Sequence, residues 1–205
     1  MTYSLRPISK QFRGDIAEIE TIVNSQSVRA KSFERDLFIE ACFLKMMVVW
    51  ENFLEEYFLG CMCSAKTLSN RTLKPKGSNM PSKDEAFKKL HIQRKARDKD
   101  YLDWLDASKL EQRVSDYFHH KSRLHKIYTD RNQLNISRTI RNLISHNSKK
   151  SLKDLENYVI NNLGYLPLID PNAADLLLSN DRRSGRKFIF LYLDHYKDLE
   201  KKLCE

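Results

Sequence analysis

Between Ser32 and Gly60 the chain contains neither glycine nor proline, and the window is dense in Phe, Leu, Met, Val and Trp. Apolar residues without a backbone breaker predict one long helix, starting at Ser27 or Ser32 and running to about Cys61. On a wheel of about 100° per residue, Leu37, Ala41, Leu44, Val48 and Phe58 form one apolar stripe. Ile39, Phe43, Met46, Trp50, Phe53 and Tyr57 form a second on the opposite side. A helix apolar on two faces is expected to be covered on both. It is either the centre of a bundle, or it packs its own domain with one face and a second subunit with the other. The second arrangement predicts a homodimer with a two-fold interface.

The rest of the composition agrees with a helical protein. Five Gly and five Pro in 205 residues are too few for a collagen, a low-complexity linker protein or a sandwich of short strands, so the expected class is an all-α bundle. The length suits a single domain, 1–205, with the polar, basic stretch 64–100 as an insertion or mobile segment. Apolar runs fall short of the ~18 residues that suggest a membrane span, and the amino terminus lacks the apolar core of a signal peptide. The expectation is a cytoplasmic protein with no membrane partner. The cysteines Cys42, Cys61, Cys63 and Cys204 include no CxxC pair, and three lie in apolar helical patterns. They predict reduced, buried thiols and neither a disulfide nor a zinc site. Lys+Arg exceed Asp+Glu by 36 to 27, a net charge of +9, which biases the chain toward polyanions and makes nucleic acid the leading partner class.

Further helices are expected over Asp15–Val23, Ser108–Phe118, Arg131–His146, Ser151–Leu163 (ending near Gly164) and Lys187–Leu203. Lys83–Arg94 reads as a basic amphipathic segment, Tyr101–Trp104 as an anchor for the returning chain, and Tyr165–Arg186 as irregular.

The helix Arg131–His146 divides its residues by chemistry. Ile136, Ile140, Leu143 and Ile144 share one arc, while Arg138, Arg141, Asn142, Ser145 and His146 occupy the other. An Arg that stays cationic and a His that titrates near neutrality are the pair needed to stabilise a pentavalent phosphate and move a proton. The same spacing also occurs on an ordinary solvated face. A competing pair, Arg113 with His119 or His120, has only Val114 after its Arg. In WENFLEEYF, Glu51 and Glu55 fall within the stripe of Leu37 and Val48, where an acid needs a partner. That partner is either an Arg or Lys of a neighbouring helix, or, for Glu51, Arg141 or His146. His119, His120 and His125 lack a carboxylate or Cys at ligand spacing and read as surface residues, so no metal is expected. Phosphate-binding glycine loops are absent, and no cofactor is expected. The basic runs Phe87–Lys99 and Arg182–Lys187 suit either phosphate tracking or plain solvation.

Arg141, Asn142 and His146, with WENFLEEYF upstream and RRSGRKF before the last helix, resemble the HEPN superfamily (higher eukaryotes and prokaryotes nucleotide-binding), in particular its RiboL-PSP-type branch. The similarity runs over roughly Ser32 to Leu203. It implies a helical bundle that dimerises so that two RNLISH helices build one composite site. It also implies a metal-independent endoribonuclease acting as a toxin or anti-phage defence effector, with RNA as substrate and an antitoxin or defence-system protein as a further partner. By this resemblance His146 moves the proton at the ribose 2′-hydroxyl, Arg141 holds the scissile phosphate, and Asn142 orients His146 or binds RNA. Glu51 and Ser145 would support them, and Arg138, Lys149 and Lys150 would contact RNA. One subgroup carries a Tyr shortly after the His; here NSKKSLK follows and the nearest is Tyr158. The alternative is a catalytically silent module of the same type that binds RNA, nucleotide or a partner protein.

Overall fold

A computed structural model describes residues 3–92, 102–163 and 172–205. It is all-α: eight α-helices and one 3-10 helix, with only isolated bridges and no strand among the described residues. The helices are α1 (Arg6–Ser27), α2 (Phe33–Met62), α3 (Lys83–Ile92), α4 (Ala107–Tyr117), α5 (Arg131–His146), α6 (Lys149–Leu163), α7 (Ala173–Leu178) and α8 (Phe188–Cys204), with the 3-10 helix at Arg123–Asp130. None of the helices among the described residues is long and apolar enough to cross a membrane. The basic run beyond Ile92, the anchor Tyr101, and the stretch holding Gly164, Pro167 and Pro171 lie outside the described residues.

α2 starts where Ser32 accepts a hydrogen bond from the Arg35 N–H at 3.2 Å, so of the two expected starts the chain uses Ser32. Two expectations need correction. α1 is far longer than Asp15–Val23 and begins at Arg6, because Pro7 sits in a first turn where a missing N–H breaks no helical bond. The segment Tyr165–Arg186 is not wholly irregular, since it contains α7. Six residues are too few for a periodic signal, and the helix is set by Asn172, whose side chain accepts from the Asp175 N–H at 2.6 Å.

The chain divides into two compact units, one of Met1–Phe12, Glu51–Arg131 and Leu199–Glu205, the other of Arg13–Trp50 and Asn132–Asp198. In the first, Phe58 of α2 centres an aromatic cluster. Its ring lies 5.4 Å from Trp104 and meets Tyr117 and Phe118 edge-on at 6.0 and 5.0 Å, geometry that aromatic quadrupoles favour. Tyr57 donates its buried hydroxyl to the Leu203 carbonyl at 2.8 Å. Gly60 is glycine for a local reason: a Cβ there would stand 3.3 Å from Leu5 Cδ2, where the amino-terminal segment crosses the helix. The described part of the 64–100 stretch runs without helix from Ser64 to Ser82. Its backbone is nevertheless tied down by Leu5 to Lys66, Leu68 to Cys204, Lys76 to Tyr117 and Met80 to Met62 hydrogen bonds.

In the second unit, Ile39, Phe43, Met46 and Trp50 of α2 are buried. Phe43 meets Tyr192 edge-on at 5.5 Å, and the Trp50 ring lies tilted against Tyr196 with centroids 4.9 Å apart. The opposite stripe behaves differently. Leu37 is 54% exposed and Val48 47%, Phe33 adds a further exposed ring at 82%, Ala41 is exposed and Leu44 half-buried. Over this half of the helix one face is core and the other is exposed in the single chain, so here α2 is not the centre of a bundle.

Candidate functional site

α5 owes its register to the apolar arc. Leu134, Ile136, Ile140 and Leu143 are buried, together with Ser137, which satisfies its hydroxyl on the Gln133 carbonyl at 2.9 Å. Burying that arc turns Arg138, Arg141, Asn142, Ser145 and His146 to the other side. Arg138, Arg141 and Asn142 are half-buried; Ser145 and His146 are exposed. Arg141 donates from Nη1 to Asn142 Oδ1 at 3.1 Å. Asn142 therefore fixes the guanidinium. The imidazole of His146 has no hydrogen-bond partner among the described residues.

The end of α5 is rigidly defined. Asn147 takes a left-handed conformation, φ 40°, and gives its N–H to the Leu143 carbonyl at 2.7 Å, a helix stop that asparagine tolerates well. Ser148 and Ser151 then cap α6 reciprocally, each hydroxyl accepting the other's backbone N–H at 3.1 and 3.0 Å. His146 is consequently held one residue before a fixed reversal. Lys149 and Lys150 are exposed in the first turn of α6, which holds no acidic residue. Cations there oppose the helix dipole.

Glu51, the other supporting residue of the sequence reading, is half-buried on α2 in the first unit. Its neighbour Glu55 has a partner of a kind not foreseen: the Trp104 indole N–H donates to Glu55 Oε2 at 2.9 Å, in place of an Arg or Lys. The competing arginine is committed elsewhere too. Arg113 lies over the Trp104 ring at 4.9 Å and donates to the Asp103 carbonyl at 3.0 Å. His119 and His120 are exposed in a turn after α4, and His125 packs edge-on against Tyr128 at 4.8 Å. Among the described residues no group of three His, Cys, Asp or Glu is arranged to hold a metal ion.

A feature that sequence reasoning missed lies beside Asn147. A cavity of about 250 Å³ is bounded by Glu40 of α2, Leu143, Ile144 and Asn147 at the end of α5, Leu152 of α6, and Asn172 with Ala173 at the start of α7. Burial pushes the Glu40 carboxyl up from the ordinary glutamate range, the Ala174 N–H bonded to it draws it back, and Asp36 adds to the rise. Glu40 stands on the wheel between the buried and exposed stripes of α2, which is a weak signal; its companions come from three distant segments.

Comparison with protein-family models, with curated proteins and with solved structures gives no match for this chain. The functional reading rests on the residues themselves.

Proposed function

We propose that the chain is a metal-independent endoribonuclease of the HEPN type, acting as a homodimer, in the role of a toxin or defence effector. The observation that carries this reading is the polar arc of α5: a half-buried Arg141 pinned by Asn142 and an exposed His146 at the same helix end. A guanidinium already fixed in place can meet a phosphate without reorganising, the condition for electrostatic stabilisation of a transition state. An exposed imidazole can exchange protons with substrate and water.

The chemistry follows from those groups. The ribose 2′-hydroxyl loses its proton to His146 as its oxygen bonds to phosphorus. The bond to the 5′-oxygen breaks, that oxygen takes a proton from water, His146 then returns its own proton to solvent, and the products are a 2′,3′-cyclic phosphate and a 5′-hydroxyl. Arg141 offsets the charge on the pentavalent phosphorus. Lys149 and Lys150, placed against the α6 dipole, suit flanking phosphates of the same strand, and Arg138 adds charge one turn before Arg141. The exposed stripe Phe33, Leu37, Ala41 and Val48 supplies an apolar surface for a second copy.

One observation favours the silent alternative: within the described residues no side chain orients the His146 ring. A catalytic base normally has such a partner, so the enzyme reading requires it from the second copy or from the RNA. The test is cleavage of a structured RNA by the purified chain in EDTA. Cutting that persists under chelation is expected. Cutting that stops and returns with Mg²⁺ would point to a different chemistry, and binding without cutting would favour the silent module.

A further inference from the structure

We propose that the cavity beside the end of α5 is a base-recognition subsite that accepts guanine; its part in choosing the RNA cleavage position rests on the endoribonuclease reading above.

The cavity sets strict terms for an occupant. Among the described residues lining it none is basic, so the half-buried Glu40 carboxylate is free to accept hydrogen bonds from donors on whatever enters in place of water. It already accepts the Ala174 N–H, and its remaining lone pairs can take two more donors side by side. Asp36, whose charge helps to raise the Glu40 carboxyl, has its own donors in Arg35 at 2.9 and 2.6 Å. The Asn172 carbonyl oxygen is occupied by the Asp175 N–H, which leaves its amide NH₂ to donate. Asn147, fixed by its left-handed backbone, brings a second amide. Leu143, Ile144 and Leu152 complete apolar walls, which suit a flat ring better than a strongly hydrated ammonium group.

A carboxylate acceptor and amide donors lining one cavity match the Watson–Crick edge of guanine. N1–H and N2–H₂ are adjacent donors for Glu40, and O6 is an acceptor for an asparagine NH₂. Adenine and cytosine bring one amino group each. Uracil would place carbonyl oxygens against the carboxylate. A volume of about 250 Å³ lies just under the usual range of small-molecule pockets, which fits a single base and not a dinucleotide. Bases splayed from single-stranded RNA are commonly read in this way, by edge hydrogen bonds between apolar walls. The cavity reaches the end of α5 through Asn147, the residue after His146, while Arg141 and His146 lie on the other arc of the helix, so a guanine held there would be a neighbouring base of the bound strand and not the nucleotide that is cut.

The test is direct binding to the full chain, independent of cleavage. GMP, IMP, AMP, CMP and UMP are titrated by calorimetry, so that the shared phosphate cancels and only the base differs. GMP is expected to bind at least ~10-fold more tightly than AMP, CMP or UMP, with IMP, which lacks the 2-amino group, in between. Glu40→Gln keeps a carbonyl for the Ala174 N–H but turns an acceptor into a donor, and should bring GMP down to the level of AMP. Leu152→Trp fills the cavity and should remove the preference by a separate route, with helix content checked by circular dichroism. Equal affinity for all five nucleotides, or a GMP preference surviving in both variants, overturns the proposal. A chain that prefers GMP but cuts no RNA keeps the subsite and loses the enzyme reading; one that cuts RNA and shows no GMP preference does the reverse.

Discussion

Arg141 donates from Nη1 to the side-chain carbonyl of Asn142 at 3.1 Å, a hydrogen bond between adjacent residues on one helix face. It adds a role for Asn142: its oxygen holds the guanidinium, while orienting His146 or binding RNA would fall to its side-chain NH₂. Asn142→Ala should therefore slow cleavage by roughly 3- to 10-fold, the worth of one lost hydrogen bond, while Arg141→Ala should cost ~10²–10³-fold. Single-turnover rates should also show that the double variant is no slower than Arg141→Ala alone, since Asn142 acts through Arg141.

The exposed side of α2 sets the second expectation. Phe33, Leu37 and Val48 stand open along one stripe, the surface proposed for a second copy. Sedimentation at micromolar concentration should give twice the chain mass. Leu37→Glu combined with Val48→Glu should give a folded monomer with little cleavage activity. A wild-type monomer would remove the composite site.

Glu55 and Trp104 give a stability test in the first unit. Trp104→Phe keeps the aromatic cluster around Phe58 but strips the donor from a half-buried carboxylate. It also weakens the surface under Arg113. Denaturant unfolding should show a loss of about 1–3 kcal/mol. A loss no larger than that of an exposed surface substitution would mean that the indole N–H contributes nothing.

The fold was largely legible because its longest helices carry their own signals. Ser32 and the run to Gly60 marked α2, and the split between Ile136, Ile140, Leu143 and the arginine side marked α5 from Arg131 to His146. Local chemistry was harder to see. The apolar spacing of Ile16, Ile19, Ile22 and Val23 showed only the middle of α1, which begins at Arg6 with Pro7 in its first turn, and α7 is too short for periodicity. The Ser148/Ser151 cap uses Ser where a Glu or Gln would have been diagnostic. Polar partners were least legible of all. That Glu55 would meet an indole, or that Glu40, Asn147 and Asn172 would share a cavity, depends on segments brought together only by tertiary packing.

Cysteine reactivity provides a fourth check. Cys42, Cys61, Cys63 and Cys204 are all buried and free of disulfides. Burial pushes the thiols of Cys42, Cys61 and Cys63 above the ordinary cysteine range, and that of Cys61 furthest, so little thiolate forms at neutral pH. Iodoacetamide at pH 7.5 should label the native chain slowly, with Cys61 among the last to react, and should label all four thiols quickly in denaturant. Rapid native labelling of Cys61, followed by peptide mass spectrometry, would contradict the packing of α2 on the carboxyl-terminal segment.

The central claim is that His146 and Arg141 perform the chemistry, and end-group analysis of cleaved RNA tests it most directly. The parent chain should leave 2′,3′-cyclic phosphate and 5′-hydroxyl ends, and should not cut the same sequence as DNA, which has no 2′-hydroxyl. His146→Ala should lower the rate by ~10²–10⁴-fold with the oligomeric state retained, whereas His119→Ala should be near wild type. Arg113→Ala should affect stability more than rate, since its guanidinium serves Trp104 and Asp103. Wild-type cleavage rates in the His146 and Arg141 variants, or 3′-hydroxyl and 5′-phosphate ends on the products, would contradict the account.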